Sequence, residues 1–493
     1  MKRKARLFLE AEPFHSAAGA INAWVEEELK ALGFHTERHN HYRTSARDAA
    51  MPLGNARRLL HLRGQPAADL ALYCDMGLGI HAPGREVARR TLVYFHGLHG
   101  APTTWLGNPL IDRYVALSPY VQDVLDALLA TPDLDRRQCL EARGPRVVDY
   151  LVPTLPCLEI PEGESRMPGG ELPPEVQQAL ERGEVLGHAV QPGKADWLAV
   201  CSILLYLHAL AREHGRPPFR LVVAAQDFDT LQHTLRYGPP ANASALRAAL
   251  GAFGVRLEDL LLPVAHLSQP ALFRLFKSAR FGLCYNLYPE PFGLYVLESV
   301  LNGCPIYTNG AGNNRHALPP GHGITVLETP DMAFGNPGAY AEVAALIFQD
   351  VSTPGAHEES CRRGAELVRR TFTRRAFSES FQACLSRLEE DVAPLAFDER
   401  VVRLSPMVRY LDETTGQVAS DYLHTVLSPD ELRVMREAMD QPARAIGHDG
   451  DTGRALLQGL FDKGVLALGA ARGLPLPGAP SPGSWPWYRA KGF

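Results

Sequence analysis

The stretch 288–319, YPEPFGLYVLESVLNGCPIYTNGAGNNRHALP, decides how the rest of the chain is read. It is preceded by an apolar run, FGLCYN (281–286), and it contains an apolar-periodic segment, GLYVLESVLNG (293–303), followed by a second short apolar run, CPIYTN (304–309). Strand, helix, strand in that order is the unit of a parallel α/β sheet. The loop LYPEPFG would then emerge at the carboxyl end of a strand, where open α/β sheets bind their ligands. Gly293 opens the helix and lets a ligand approach the backbone, while the N–H groups of residues 293–295 face outward as an anion site. Two carboxylates, Glu290 and Glu298, separated by seven residues, bracket that helix start.

Working outward, the alternation continues on both sides. Toward the C-terminus, helical patterns are expected at 338–351, 356–371 and 375–390. Toward the N-terminus, a strand at EVLGHAV (184–190), a helix across 194–215 and a strand at FRLVVAAQ (219–226) open the same domain. A Pro/Gly-rich, charged stretch, PEGESRMPGGELPPE (161–175), precedes it and reads as a linker. Before the linker lies a second set: strands at 5–12, 69–76, 91–97, 113–118 and 146–153, with an amphipathic helix that places Ile21, Trp24, Val25 and Leu29 on one face.

The expected organisation is an N-terminal Rossmann-like domain over 1–160 and a second over 176–395. From 396 to 493 a small accessory module follows, with a Pro/Gly-rich tail. The helix start signal Ser428, Pro429, Glu431 and the order of elements after it suggest a mainly helical, winged-helix-like extension. At 493 residues, the chain exceeds the roughly 250 to 300 that one core organises.

Composition narrows the function classes. Hydrophobic content of 46% with 21% charged residues is that of a globular protein, and a formal charge of −5 offers no general attraction to nucleic acid. The eight cysteines are scattered without C-x-x-C pairs or metal-ligand spacing, which fits a reduced, cytoplasmic setting. No run reaches the ~18 apolar residues of a spanning helix. The triad His35, His39 and His41 lacks metal-site spacing. The acid pairs Asp227/Asp229 and Asp133/Asp135 have the spacing that holds divalent ions elsewhere, but such pairs are common in turns, and no metal is expected.

The segment from 281 to about 327 resembles the donor site of retaining GT-B glycosyltransferases, especially glycosyltransferase family 4, in its E-x7-E motif, the Phe-Gly-Leu before the second acid, the Gly303-Cys304-Pro305 step and the glycine turn after it. The resemblance spans about residues 5–390. It implies two Rossmann-like domains facing an interdomain cleft, a nucleotide diphosphate sugar as co-substrate with no further cofactor, and a metal-independent reaction that retains anomeric configuration. It places Glu290 beside the sugar hydroxyls, Glu298 on the nucleotide ribose, and the amides of Phe292, Gly293 and Leu294 on the diphosphate.

The family's phosphate-binding arginine and lysine fall at His188 and Lys194, so the arginine is replaced here. Its N-terminal glycine loop is nearest at Gly19, in HSAAG, and its strand-end histidine at His96, in YFHGLHG, with His99 a weaker candidate. The resemblance implies an acceptor hydroxyl on a protein, peptide or glycan, and residues 396–493 are the expected recognition module for a macromolecular acceptor. A nucleotide-sugar-binding recognition protein without catalysis, or an epimerase or phosphorylase on the same scaffold, are the competing readings.

Overall fold

The computed structural model describes residues 3–9, 17–40, 60–62, 64–74, 84–96, 108, 110–130, 148–155, 170–191, 193–238, 240–327, 340–353, 355–390, 402–405, 407–412, 414–421, 424–440, 455–456, 459–460 and 463–468. They divide into two compact units, 1–156 with 372–493, and 157–371. Both are α/β, as the sequence pattern requires.

The first unit runs β1 (Lys4–Leu9), α1 (Ala17–Ala31), β2 (His35–Asn40), β3 (Ala68–Cys74), β4 (Ala88–Phe95), β5 (Arg113–Ala116), α2 (Pro119–Ala130) and β6 (Val148–Tyr150). These strands form one parallel sheet in the order β2-β1-β3-β4-β5-β6. Inner strands are apolar nearly throughout, because helices cover both faces of a parallel sheet. The edge strand β2, HTERHN, pairs only with β1 and is polar, which is why apolar patterning did not single it out.

The second unit contains α3 (Pro174–Glu181), β7 (Val185–Ala189), α4 (Trp197–Glu213), β8 (Phe219–Ala224), α5 (Ala225–Tyr237), α6 (Pro240–Phe253), α7 (Leu257–Leu260), β9 (Leu261–Val264), α8 (Gln269–Ser278), β10 (Phe281–Cys284), α9 (Leu294–Leu301), β11 (Ile306–Thr308), β12 (Ile324–Val326), α10 (Ala341–Ser352) and α11 (Glu358–Thr371). Its parallel sheet has the order β12-β11-β10-β7-β8-β9. The winding therefore reverses between β7 and β10, and the crevice outside the carboxyl ends of those two strands is where such a sheet takes a ligand.

Local chemistry sets these elements. Asp196 caps α4 by accepting from the N–H groups of Leu198 (3.1 Å) and Ala199 (3.2 Å), an interaction of about 1 kcal/mol. The helix then buries Val200, Ile203, Leu204 and Leu207 against Leu221, Val223 and Phe281 of the sheet. Asp227 and Asp229, expected in a turn, lie instead on α5: Asp227 is buried in its first turn and Asp229 is exposed, so the two do not share a face as a metal pair would.

Two expectations are corrected after residue 371. Helix α12 (Arg374–Ser386), placed with the second domain by its position in sequence, belongs to the first unit. Phe377, Phe381 and Cys384 pack with Trp24, Leu29 and Leu151, and Arg374 pairs with Glu27 at 3.0 Å and Glu28 at 3.2 Å. The extension is also not mainly helical among its described residues. It contains β13 (Val402–Leu404), β14 (Val408–Leu411), β15 (Gln417–Ser420), β16 (His424–Val426), α13 (Pro429–Asp440) and β17 (Leu466–Leu468).

Strands β14, β15 and β16 form an antiparallel meander, and β13 pairs with β17. The predicted cap of α13 is present: Ser428 Oγ accepts from Glu431 N–H, and Glu431 accepts from Ser428 N–H at 2.8 Å. The extension is tied to α2 by Tyr120, whose hydroxyl donates to Asp421 at 2.6 Å, and Arg409 lies 3.2 Å from the same carboxylate. The tail 473–493, with Trp485, Trp487 and Tyr488, lies outside the described residues, as do Asp133, Asp135, His41 and His99.

Candidate functional site

The carboxyl ends of β7 and β10 lead into the segments 190–196 and 285–293, and backbone hydrogen bonds join the two. Leu287 N–H donates to the Lys194 carbonyl at 2.9 Å and Asp196 N–H to the Tyr285 carbonyl at 2.7 Å, with a bridge between Ala195 and Asn286. Gly193, at φ 73°, turns the first segment, and its N–H donates to the buried Asp227 carboxylate at 2.9 Å. Burial pushes the Asp227 carboxyl up, partly offset by that bond.

This stitching brings Lys194 to Glu290, Nζ to Oε2, at 2.6 Å. Glu290 is buried, whereas the Lys194 side chain is 40% exposed. The cation therefore faces solvent at the point where the sheet reverses.

The glycine turn after β11 holds Glu290 from the other side. Glu290 N–H donates to the Ala311 carbonyl at 3.3 Å, and Asn313 N–H donates to the Glu290 carbonyl at 2.7 Å. Gly312, at φ 65°, makes the closest approach: a Cβ there would lie 2.4 Å from Glu290 N. Gly293, at φ 90°, ends this loop as the N-cap of α9, and Asn313 Nδ2 donates to the Phe292 carbonyl beside it. Val296 and Leu297 N–H donate to the Gly293 carbonyl, at 3.1 and 3.2 Å, while the N–H groups ahead of them have no acceptor in the α9 ladder and carry the positive end of the helix dipole.

Glu298 lies on α9, also buried. Desolvation raises its carboxyl to about 7, opposed by Gln269 Nε2, which donates to Oε1 at 3.3 Å. A buried acid with one long donor contact is suited to accepting hydrogen bonds from hydroxyls.

The structure thus gathers Lys194, Glu290, Phe292, Gly293, Leu294 and Glu298 within one unit. His188 does not join them. On β7 it is fully buried, with Nδ1 bonded to the Tyr295 hydroxyl and Nε2 to Ser299 Oγ at 2.9 Å. The expectation that His188 stands in for a phosphate-binding arginine is corrected accordingly: a short, buried, neutral imidazole, its pKa pushed down to about 3, offers no charge to an anion.

Gly19 and His96 belong to the first unit. Gly19 sits in the first turn of α1, and the loop before it lies outside the described residues. His96 follows β4, with Nε2 3.1 Å from Asn22 Oδ1; burial lowers its pKa to about 3, so it is uncharged at neutral pH.

Residue patterns alone missed several participants. Gln269, the Tyr295 side chain and the asparagines at 313 and 314 act through contacts between segments remote in sequence. Only the Asn313-Asn314 pair, inside the glycine turn, carried a local signal. Among the described residues no group of His, Cys, Asp and Glu forms a metal cluster, and no helix is long and apolar enough to cross a membrane.

No family model and no curated protein matches the chain. Solved structures do. HepE of Anabaena, in complex with UDP and glucose, shares 15% identity at a TM-score of 0.50, over 78% of this chain and 100% of that one. Sucrose-phosphate synthase from Thermosynechococcus elongatus shares 15% at 0.51, over 79% and 99%. A UDP-forming α,α-trehalose-phosphate synthase from Burkholderia vietnamiensis shares 14% at 0.52, over 79% and 97%. These neighbours are GT-B glycosyltransferases. At such identities the likeness is one of fold, and the fold of this chain is GT-B: two Rossmann-like α/β units, each on a six-stranded parallel sheet.

Proposed function

We propose that the protein is a retaining glycosyltransferase that moves a hexose-like sugar from a nucleoside diphosphate sugar to an acceptor hydroxyl. The observation that carries this is the meeting of Lys194 and Glu290 at the reversal point of the second sheet, beside the amino end of α9. A cation and a helix start at that place offer a preorganised site for a leaving diphosphate. UDP as the nucleotide is supported by HepE, solved with UDP and glucose, and by the UDP-forming synthase.

In this reading the bond from the anomeric carbon to the diphosphate breaks as the acceptor oxygen attacks from the same face, and the acceptor proton passes to the departing phosphate oxygen. Lys194 and the α9 amides stabilise the charge that grows on the diphosphate. Glu290 holds sugar hydroxyls, and Glu298 accepts from the ribose diol. Retention rests on the resemblance of 281–327 to family 4, as does a place for His96 near the transferring sugar and for Gly19 in the glycine loop. No metal enters these steps.

A binding protein without turnover is the second reading, favoured by the loss of the arginine charge at position 188. Incubation with UDP-glucose, followed by proton NMR of the anomeric signal, separates the two. The account expects slow release of free sugar as the α-anomer before mutarotation, absent in Lys194→Ala. Release of the β-anomer would remove retention, and no release with tight UDP binding would favour the binding protein.

A further inference from the structure

His188 is packed with more care than a filler residue needs. It lies directly across from Gly282 on β10, and a Cβ on that glycine would sit 2.6 Å from the His188 ring, so the glycine makes the space the imidazole occupies. Phe276 of α8 closes the other side, 4.5 Å between ring centroids. The two nitrogens then reach successive turns of α9, at Tyr295 and Ser299.

The proton count fixes the direction of every bond. Val190 N–H donates to the Tyr295 oxygen at 3.0 Å, and Ser299 Oγ–H donates to the Cys304 carbonyl at 3.1 Å. With both ends settled, Tyr295 O–H must donate to His188 Nδ1, and His188 Nε2–H must donate to Ser299 Oγ. The opposite tautomer would leave the Tyr295 proton without an acceptor and the Cys304 carbonyl without this donor, a costly arrangement for buried groups.

Resting on the functional reading above, we propose that His188, Tyr295 and Ser299 form a neutral, one-directional tie that sets the position of α9 against β7, making His188 a positioning residue instead of a phosphate ligand. Glu298 lies between the two tied residues on α9, and the helix start at Gly293 is one turn or less from Tyr295. Any rotation of α9 would move both the ribose carboxylate and the diphosphate amides. With a neutral residue at 188, Lys194 supplies the charge at this end of the sheet.

The test uses the full chain and reads three quantities for each variant: affinity for uridine diphosphate by calorimetry, hydrogen exchange of amides 293–301, and the thermal midpoint. His188→Leu should lower the midpoint, weaken binding about tenfold and speed exchange in 293–301 but not in 197–213, because it strands the Tyr295 hydroxyl. Adding Tyr295→Phe removes the stranded hydroxyl but also the acceptor of Val190 N–H, so the midpoint should recover only in part while affinity stays down. His188→Gln, which keeps a donor for Ser299, should fall between, and it carries the comparison should His188→Leu not fold.

Affinity that follows the midpoint through every variant, or wild-type affinity and exchange in His188→Leu, would overturn the tie. Failure of the wild type to bind any uridine nucleotide would overturn the functional reading instead, and exchange across 293–301 would then decide the tie by itself.

Discussion

Lys194 Nζ lies 2.6 Å from Glu290 Oε2, across a loop-to-loop contact that joins the ends of β7 and β10. The pair has a consequence for ligand binding. A diphosphate arriving at α9 would share the Lys194 ammonium with Glu290, so the carboxylate competes with the ligand for part of its charge.

Glu290→Gln should therefore tighten binding of uridine diphosphate by about three- to tenfold, while turnover of the sugar donor falls by roughly 100-fold, the usual cost of removing one oriented polar group. Lys194→Ala should weaken both binding and turnover. Calorimetric titration and initial rates separate the two effects. Equal weakening of UDP binding by both substitutions would show that the pair does not compete with ligand.

Glu298 gives the site a pH dependence of defined sign. Its folded pKa of about 7 stands above the unfolded value near 4.5, so the native state binds the extra proton between those pH values. Stability from this group is full below pH ~4.5 and declines as pH rises toward 7. The shift corresponds to about 3 kcal/mol at most. Glu298→Gln should raise the thermal midpoint at pH 8 and leave it nearly unchanged at pH 4.5.

The same carboxyl governs binding. A ribose diol donating to Glu298 favours the ionised form, so UDP affinity should rise between pH 6 and 8 and binding should release protons. Calorimetry in buffers of different ionisation enthalpy measures this directly; pH-independent affinity without proton release would place the ribose elsewhere.

Gly312 and Gly183 separate two costs of replacing glycine. Both have positive φ, 65° and 75°, but a Cβ at 183 meets nothing within 4 Å, whereas at 312 it overlaps the Glu290 backbone. Gly183→Ala should cost about 1 kcal/mol, and Gly312→Ala at least 2 to 3 kcal/mol together with loss of UDP binding. Chemical denaturation of both variants checks the difference.

Tyr120→Phe should cost about 1 to 2 kcal/mol by leaving Asp421 short of a donor, and leave UDP affinity unchanged because the contact lies in the first unit. Denaturation and titration of one preparation test both halves.

How much of this was legible in sequence varied with the range of the cause. The strands and helices of the second unit were readable because β7, β8 and β10 are largely apolar runs, α4 starts at a capping aspartate and α9 at a glycine. The strand β12, only Ile324–Val326, was too short to register, and β2 was too polar. The attachment of α12 to the first unit was hidden, since its apolar face does not say which sheet it covers. Glu290 and Glu298 stood out by local spacing, and Lys194 through the family resemblance. His188 was misassigned because spacing records where a residue falls along the chain, and only the glycine opposite it, Gly282, and the tyrosine at 295 reveal that the side chain turns into the core.

The most direct test of the central claim is thermal stabilisation of the full chain by a panel of nucleoside diphosphates, with Lys194→Ala and Glu298→Ala alongside. A ligand at a hundredfold excess over its Kd stabilises by about 2.7 kcal/mol. The account predicts a shift with uridine diphosphate that is lost in both variants. No shift with any nucleoside diphosphate, or a shift that survives in both, would contradict a donor site at Lys194, Glu290 and α9.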